Sequence, residues 1–219
     1  MATPAYLELG DKRVFACALD WPGWCRSGTT EAAALEALVA YVPRYALVAK
    51  RAGLDFPADV GDRVAVVERL PGSAGTDFGV PSAVAAGDGK PVSAAEAERQ
   101  VALLRASWAV FDHVVATAPA ELRKGPRGGG RDRDKIADHV LGAEAAYARK
   151  LGIKQPQPAP DDRAAITALR DAIAAALGAP CDGAALVPKG WPPRYAARRI
   201  AWHVLDHAWE IQDRSQPAG

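Results

Sequence analysis

The sequence predicts an α+β chain, with a small mixed α/β region first and an all-helical region after it. Three observations lead there. Short runs of strand character alternate with turn signals before about residue 70. Gly and Pro then crowd residues 71–92. After Ser93 every long segment repeats its apolar residues at helical spacing. At roughly 150 residues per domain, 219 residues allow one domain or two. The expected division is 1–70, a linker or long surface loop over 71–92, and 93–219.

In the first region, 6–9 and 14–19 read as strands separated by the turn signal Gly10-Asp11-Lys12. Asp20-Trp21-Pro22-Gly23-Trp24-Cys25 follows as a turn bearing two large aromatics. A helix opens at Gly28-Thr29-Thr30-Glu31: a Thr caps it, and Glu31 suits its first turn. Leu35, Leu38, Val42 and Tyr45 give it a buried face, Pro43 kinks or breaks it, and Gly53 stops it. A further strand is expected over 63–69, which contains Val64, Val66 and Val67. These elements suggest antiparallel strands with a helix.

In the second region, Ser93 and Glu96 form a capping box. The helix they open carries the stripe Val101, Leu104, Trp108, Phe111 and Val115, and ends by Pro119. A second helix spans about 132–151, with Ile136, Val140, Ala143, Tyr147 and Leu151 facing in. A third covers 161–177 on Ile166, Leu169 and Ile173, and a fourth about 194–214. Four amphipathic helices joined by loops predict a four-helix bundle.

Composition narrows the function. Apolar residues are 49% and charged residues 24%, an ordinary globular balance. Lys+Arg 27 against Asp+Glu 26 leaves no cationic surplus for phosphate contacts, so no nucleic-acid partner is expected. The start has no signal-peptide pattern and no run is long enough for a membrane span. Three Cys without a CxxC pair fit a reducing compartment. A cytoplasmic protein without membrane contact is expected. Cys17, Cys25 and Cys181 read as structural, since none has a His beside it in sequence.

The chemistry sits in the histidines. All 4 lie in the helical half. His203 and His207 stand one turn apart on a face shared with or bordered by Ala196, Ile200, Val204 and Ile211. His139, between Ile136 and Ala143, also faces inward. One such His is ordinarily a hydrogen-bonded core residue. Three together need partners for six ring nitrogens, and a divalent metal satisfies three at once. Three imidazoles plus water make an open site for zinc or a neighbouring metal. Glu210, three residues after His207, is either a surface Glu near the end of the bundle or a group that orients a ligand His, coordinates the metal or acts as a general base; among the latter roles the spacing favours orientation. Glu144 is expected at the rim, Asp206 in solvent or paired with an Arg, and His113 at the surface. The basic loop 123–131 is Gly-rich and enters a helix, which can hold an anion but is more simply a solvated loop.

Ile136-Ala137-Asp138-His139-Val140-Leu141-Gly142-Ala143-Glu144 resembles the second-helix signature of the DinB-like metal-binding four-helix bundles. His203-Val204-Leu205-Asp206-His207 resembles that family's paired ligand His. The likeness spans roughly 120 residues. Trp209-Glu210-Ile211-Gln212 departs from the family's usual His-Arg-Gly-Gln continuation. A register slipped by one turn would put Ile211 at a ligand position, so the His203/His207 register is preferred. The resemblance implies zinc or nickel, and either a hydrolase or a transferase using a low-molecular-weight thiol as cofactor on a small-molecule substrate.

Asp20-Trp21-Pro22-Gly23-Trp24-Cys25 with Gly28-Thr29-Thr30-Glu31-Ala32-Ala33 is similar to the HicB-like antitoxin domain, with Trp24 inserted between Gly and Cys. That likeness implies a lid, a dimerisation surface or a recognition module, and a homodimer as one partner state. The competing reading is a non-enzymatic antitoxin-like or protein-interaction module on a structural bundle.

Overall fold

The computed structural model describes residues 2–125 and 129–215. The fold is α+β, a four-stranded sheet near the N-terminus followed mostly by helices. Strands β1 (Thr3–Leu9), β2 (Val14–Ala18) and β3 (Cys25–Gly28) are followed by helices α1 (Glu31–Ala40) and α2 (Val42–Arg51) and by β4 (Val64–Pro71). The sheet order is β3-β2-β1-β4. β1–β2 and β2–β3 are antiparallel, but β4 runs parallel to β1, so the sheet is mixed and not wholly antiparallel as expected. The α1–α2 crossover explains this: a helical connection returns the chain to the start of β1 with the same direction.

Every residue of β2 is buried. Its alternate side chains enter two different cores. Phe15 and Cys17 pack with Trp202, while Val14, Ala16 and Ala18 join Leu38, Tyr45 and Trp24. Cover on both faces gives the apolar run Val-Phe-Ala-Cys-Ala in place of polar alternation.

Thr30 caps α1 by accepting from Ala33 N–H at 3.1 Å. The helix breaks at Tyr41, and Pro43 restarts it as α2 at 50° to α1. The bend lets Tyr45 stack on Trp24 at 5.8 Å, and its hydroxyl donates to Pro22 O at 2.7 Å. Trp24 Nε1 donates to Leu38 O at 2.9 Å, so both large polar aromatics are satisfied while buried.

Residues 71–92 carry the short helix α3 (Ala74–Phe78) and a 3-10 turn, Ala86–Gly89. The fully buried Glu8 carboxylate receives Ser82 N–H and Ala83 N–H, each at 2.9 Å, and the Thr76 hydroxyl at 2.5 Å. Asp88, also fully buried, pairs with Arg198. Two buried acids thus fasten this stretch to β1 and to the last helix.

Four long helices complete the chain: α4 (Ala94–Thr117), α5 (Arg133–Arg149), α6 (Arg163–Leu177) and α7 (Pro193–Ser215). They share one core of Leu104, Phe111, Ile136, Val140, Leu169, Ile173, Ile200 and Val204. α7 packs between α4 and α5, and α6 touches both on the other side. The sheet region docks on α7 as well. Gly23 sits at φ +93°, and a Cβ there would meet Leu205 at 2.6 Å. Arg26 pairs with Asp206 at 2.7 Å and lies over the Tyr41 ring at 4.1 Å. Among the described residues no single helix is long and apolar enough to cross a membrane.

Candidate metal centre

α7 is buried along most of its length, and α5 crosses beside it. His203 and His207 project from one face of α7 towards His139 of α5. The ring centroids lie 4.7 Å apart for His203–His207, 5.0 Å for His139–His207 and 5.1 Å for His139–His203. One nitrogen from each ring falls within 4.8 Å of the others. That convergence makes the three nitrogens candidate ligands of one ion.

Burial grades across the cluster. His203 is 7% exposed, whereas His139 and His207 are half-buried. Burial, followed by the nearby His207, Arg199 and His139, holds His203 well below the ordinary imidazole value. Burial and the proximity of His207 lower His139 too. Both rings are therefore neutral at pH 7, the form that donates a lone pair to a metal.

His207 Nδ1 is 2.8 Å from Glu210 Oε2. A proton on Nδ1 makes that contact a hydrogen bond and leaves the Nε2 lone pair free. Arg214 Nη1 binds the other Glu210 oxygen at 2.6 Å, and Arg214 Nε donates to Arg123 O at 2.9 Å. Burial alone would raise the Glu210 carboxyl; the bonds to His207 and Arg214 outweigh it and hold the carboxyl low. Of the roles open to Glu210, orientation of His207 matches these contacts.

Three nitrogens around the site are buried without a partner among the described residues: His203 Nδ1, Arg199 Nη1 and Arg214 Nη2. An orphaned buried polar group costs about 1–3 kcal/mol. A divalent cation fits this donor set, since it would engage several imidazole nitrogens together.

His139 borders an open groove of about 650 Å³, with Arg131, Asp138, Gly142 and Gln157 on its walls. Behind His203, Tyr147 presents its ring at 5.6 Å and Arg199 stacks on Tyr147 at 5.1 Å. The role of Arg199 was not read from the sequence. The signal was present, because it precedes His203 by one helical turn and shares its face.

Other residues fall as follows. His113 is exposed, and Asp206 pairs with Arg26. Ile211 is fully buried in the apolar core. Glu144 corrects the expectation of a rim residue: it is 1% exposed and bonds Arg170 at 3.1 Å. It continues the line Ile136–Val140 at four-residue steps, which points it into the core. Arg170 also reaches Asp112 at 2.8 Å. Burial raises the Glu144 carboxyl against the pull of Arg170. The cysteines are free; Cys17 and Cys25 are buried and Cys181 half-buried. In the basic loop, Pro126, Arg127 and Gly128 lie outside the described residues, so the anion-holding reading falls largely there.

Comparison with protein-family models, with curated proteins and with solved structures finds no match.

Proposed function

We propose that this chain binds one zinc or nickel ion through His139, His203 and His207 and uses it on a small-molecule substrate. The reaction class we assign is metal-assisted hydrolysis or transfer of a low-molecular-weight thiol. The observation that carries the reading is the convergence of three imidazoles from two helices, one nitrogen of each lying within 4.8 Å of the others. The metal would supply Lewis acidity, drawing the pKa of a water or thiol towards neutrality.

The chain's own groups divide the remaining work. Glu210, fixed by Arg214, sets the tautomer and orientation of His207. The groove beside His139 admits the substrate. Tyr147 packs beside His203, and Arg199 lies over the Tyr147 ring. One His on the second long helix and two on the last support the DinB-like reading of the helical region. The Asp20–Ala33 motif, lying across the β2–β3 turn and the start of α1, supports the HicB-like reading of the sheet region.

The test is competition of the metal-free protein with a chromophoric chelator for zinc and for nickel. His139→Ala, His203→Ala and His207→Ala each abolish tight binding, while His113→Ala leaves it intact. Tight binding that survives His203→Ala, or that His113→Ala removes, rejects the assignment.

A further inference from the structure

Cys17 of β2 and Cys25 of β3 are direct antiparallel partners. Ala18 N–H donates to Trp24 O at 3.0 Å, which makes 18/24 a hydrogen-bonded pair. The adjacent pair, Cys17 and Cys25, is therefore of the non-hydrogen-bonded kind, in which side chains approach most closely. Cα atoms in such pairs stand ~4.5 Å apart, inside the ~4.4–6.8 Å range a disulfide spans. The thiols do meet, Sγ to Sγ at 2.7 Å, and both are free. The two residues are only 3% and 5% exposed, so a bulky reagent cannot reach them from solvent.

A small cavity does reach them. Both cysteines line it with Tyr6, Arg198, Arg199 and Trp202, and its volume is about 20 Å³. That is room for one water-sized molecule. A tripeptide disulfide does not fit; hydrogen peroxide, with two heavy atoms, comes closest among common biological oxidants.

We propose that Cys17 and Cys25 form a dithiol that hydrogen peroxide closes to a cross-strand disulfide in the folded protein. In the first step one sulfur attacks a peroxide oxygen. An S–O bond forms, the O–O bond breaks, and the thiol proton leaves on the departing oxygen as water. In the second step the other sulfur attacks the sulfenic sulfur. The S–S bond forms, the S–O bond breaks, and the hydroxyl leaves with the second thiol's proton as another water. Two thiols and one hydrogen peroxide thus give one disulfide and two waters; sulfur is oxidised and peroxide oxygen reduced. Burial pushes the Cys25 thiol well above its ordinary value, which slows attack by that sulfur. The second step joins sulfurs already in contact and is fast, so the disulfide accumulates and the sulfenic acid does not. The bridge closes the loop that carries Trp21, Pro22, Gly23 and Trp24 against α7. This assignment is independent of the metal centre.

The experiment uses the full chain carrying Cys181→Ser, which leaves two thiols. Folded, reduced protein is treated with hydrogen peroxide, quenched with catalase, unfolded in guanidinium with a maleimide, and weighed intact. Reduced protein takes two labels. Peroxide-treated protein takes none, peptide mapping finds Cys17 joined to Cys25 within one chain, and a reductant restores both labels. Two labels after peroxide, one label with a sulfenic acid at the other site, or a bridge between chains overturns the proposal. The unsubstituted protein, which keeps Cys181, repeats the result with one label remaining.

Discussion

Glu210 accepts from His207 Nδ1 at 2.8 Å while Arg214 grips its second oxygen at 2.6 Å. The carboxylate is thus held on both sides and cannot swing away from the imidazole. Glu210→Gln keeps the size and removes the charge. We expect zinc affinity to fall roughly 10–100-fold, as for other groups that orient a ligand His. Competition titration checks this, and an affinity at the wild-type level contradicts the orienting role.

The second prediction concerns the core behind the site. Arg170 bonds the buried Glu144 and also Asp112. Arg170→Ala leaves Glu144 buried without a counter-charge and is expected to cost about 3–5 kcal/mol. Urea unfolding measures it. A loss below about 1 kcal/mol contradicts the account of this pair.

Gly23 gives the third. Its φ of +93° costs an L-residue about 1–2 kcal/mol, and a Cβ would press on Leu205 at 2.6 Å. Gly23→Ala is expected to destabilise by roughly 2–4 kcal/mol in the same assay. A neutral substitution contradicts the close docking of the β2–β3 turn on α7.

The fourth is a pH dependence of the metal-free protein. His139 and His203 have lowered values in the fold, while the unfolded chain takes protons near the ordinary value of about 6.5. Below that pH the unfolded state binds more protons, so stability falls as pH drops and recovers as it rises. Unfolding midpoints between about pH 7 and pH 5 should show the fall, and His203→Gln should reduce it. A stability flat over that window and unchanged by His203→Gln contradicts the buried, neutral state of the ring.

Much of this was legible in the sequence because periodicity reports facing. The stripe Leu104–Trp108–Phe111 and the i, i+4 spacing of His203 and His207 each fixed which side of a helix turns inward. Pro43 marked the α1–α2 break for a local reason, its missing N–H. Other features depended on pairings distant in sequence. The parallel β1–β4 ladder arises from where the α1–α2 crossover delivers the chain. Residues 71–92 read as loop because their order comes from Glu8 and Asp88, two acids whose partners lie elsewhere. Glu144 reads as a rim residue because it follows Ala143, which the periodicity places on the inner face, and its partner Arg170 is distant in sequence. The contact between Cys17 and Cys25 needed the β2–β3 register, and β3 is too short and too polar to announce itself.

In the proposed function the three imidazoles hold one metal ion. Elemental analysis of the protein purified without a His tag, before and after equilibration with zinc or nickel, tests it most directly. About one divalent ion per chain is expected, bound tightly enough to survive gel filtration and removed by chelator with a fall in thermal stability. Less than about a tenth of an equivalent, with no uptake on adding either metal, would contradict it.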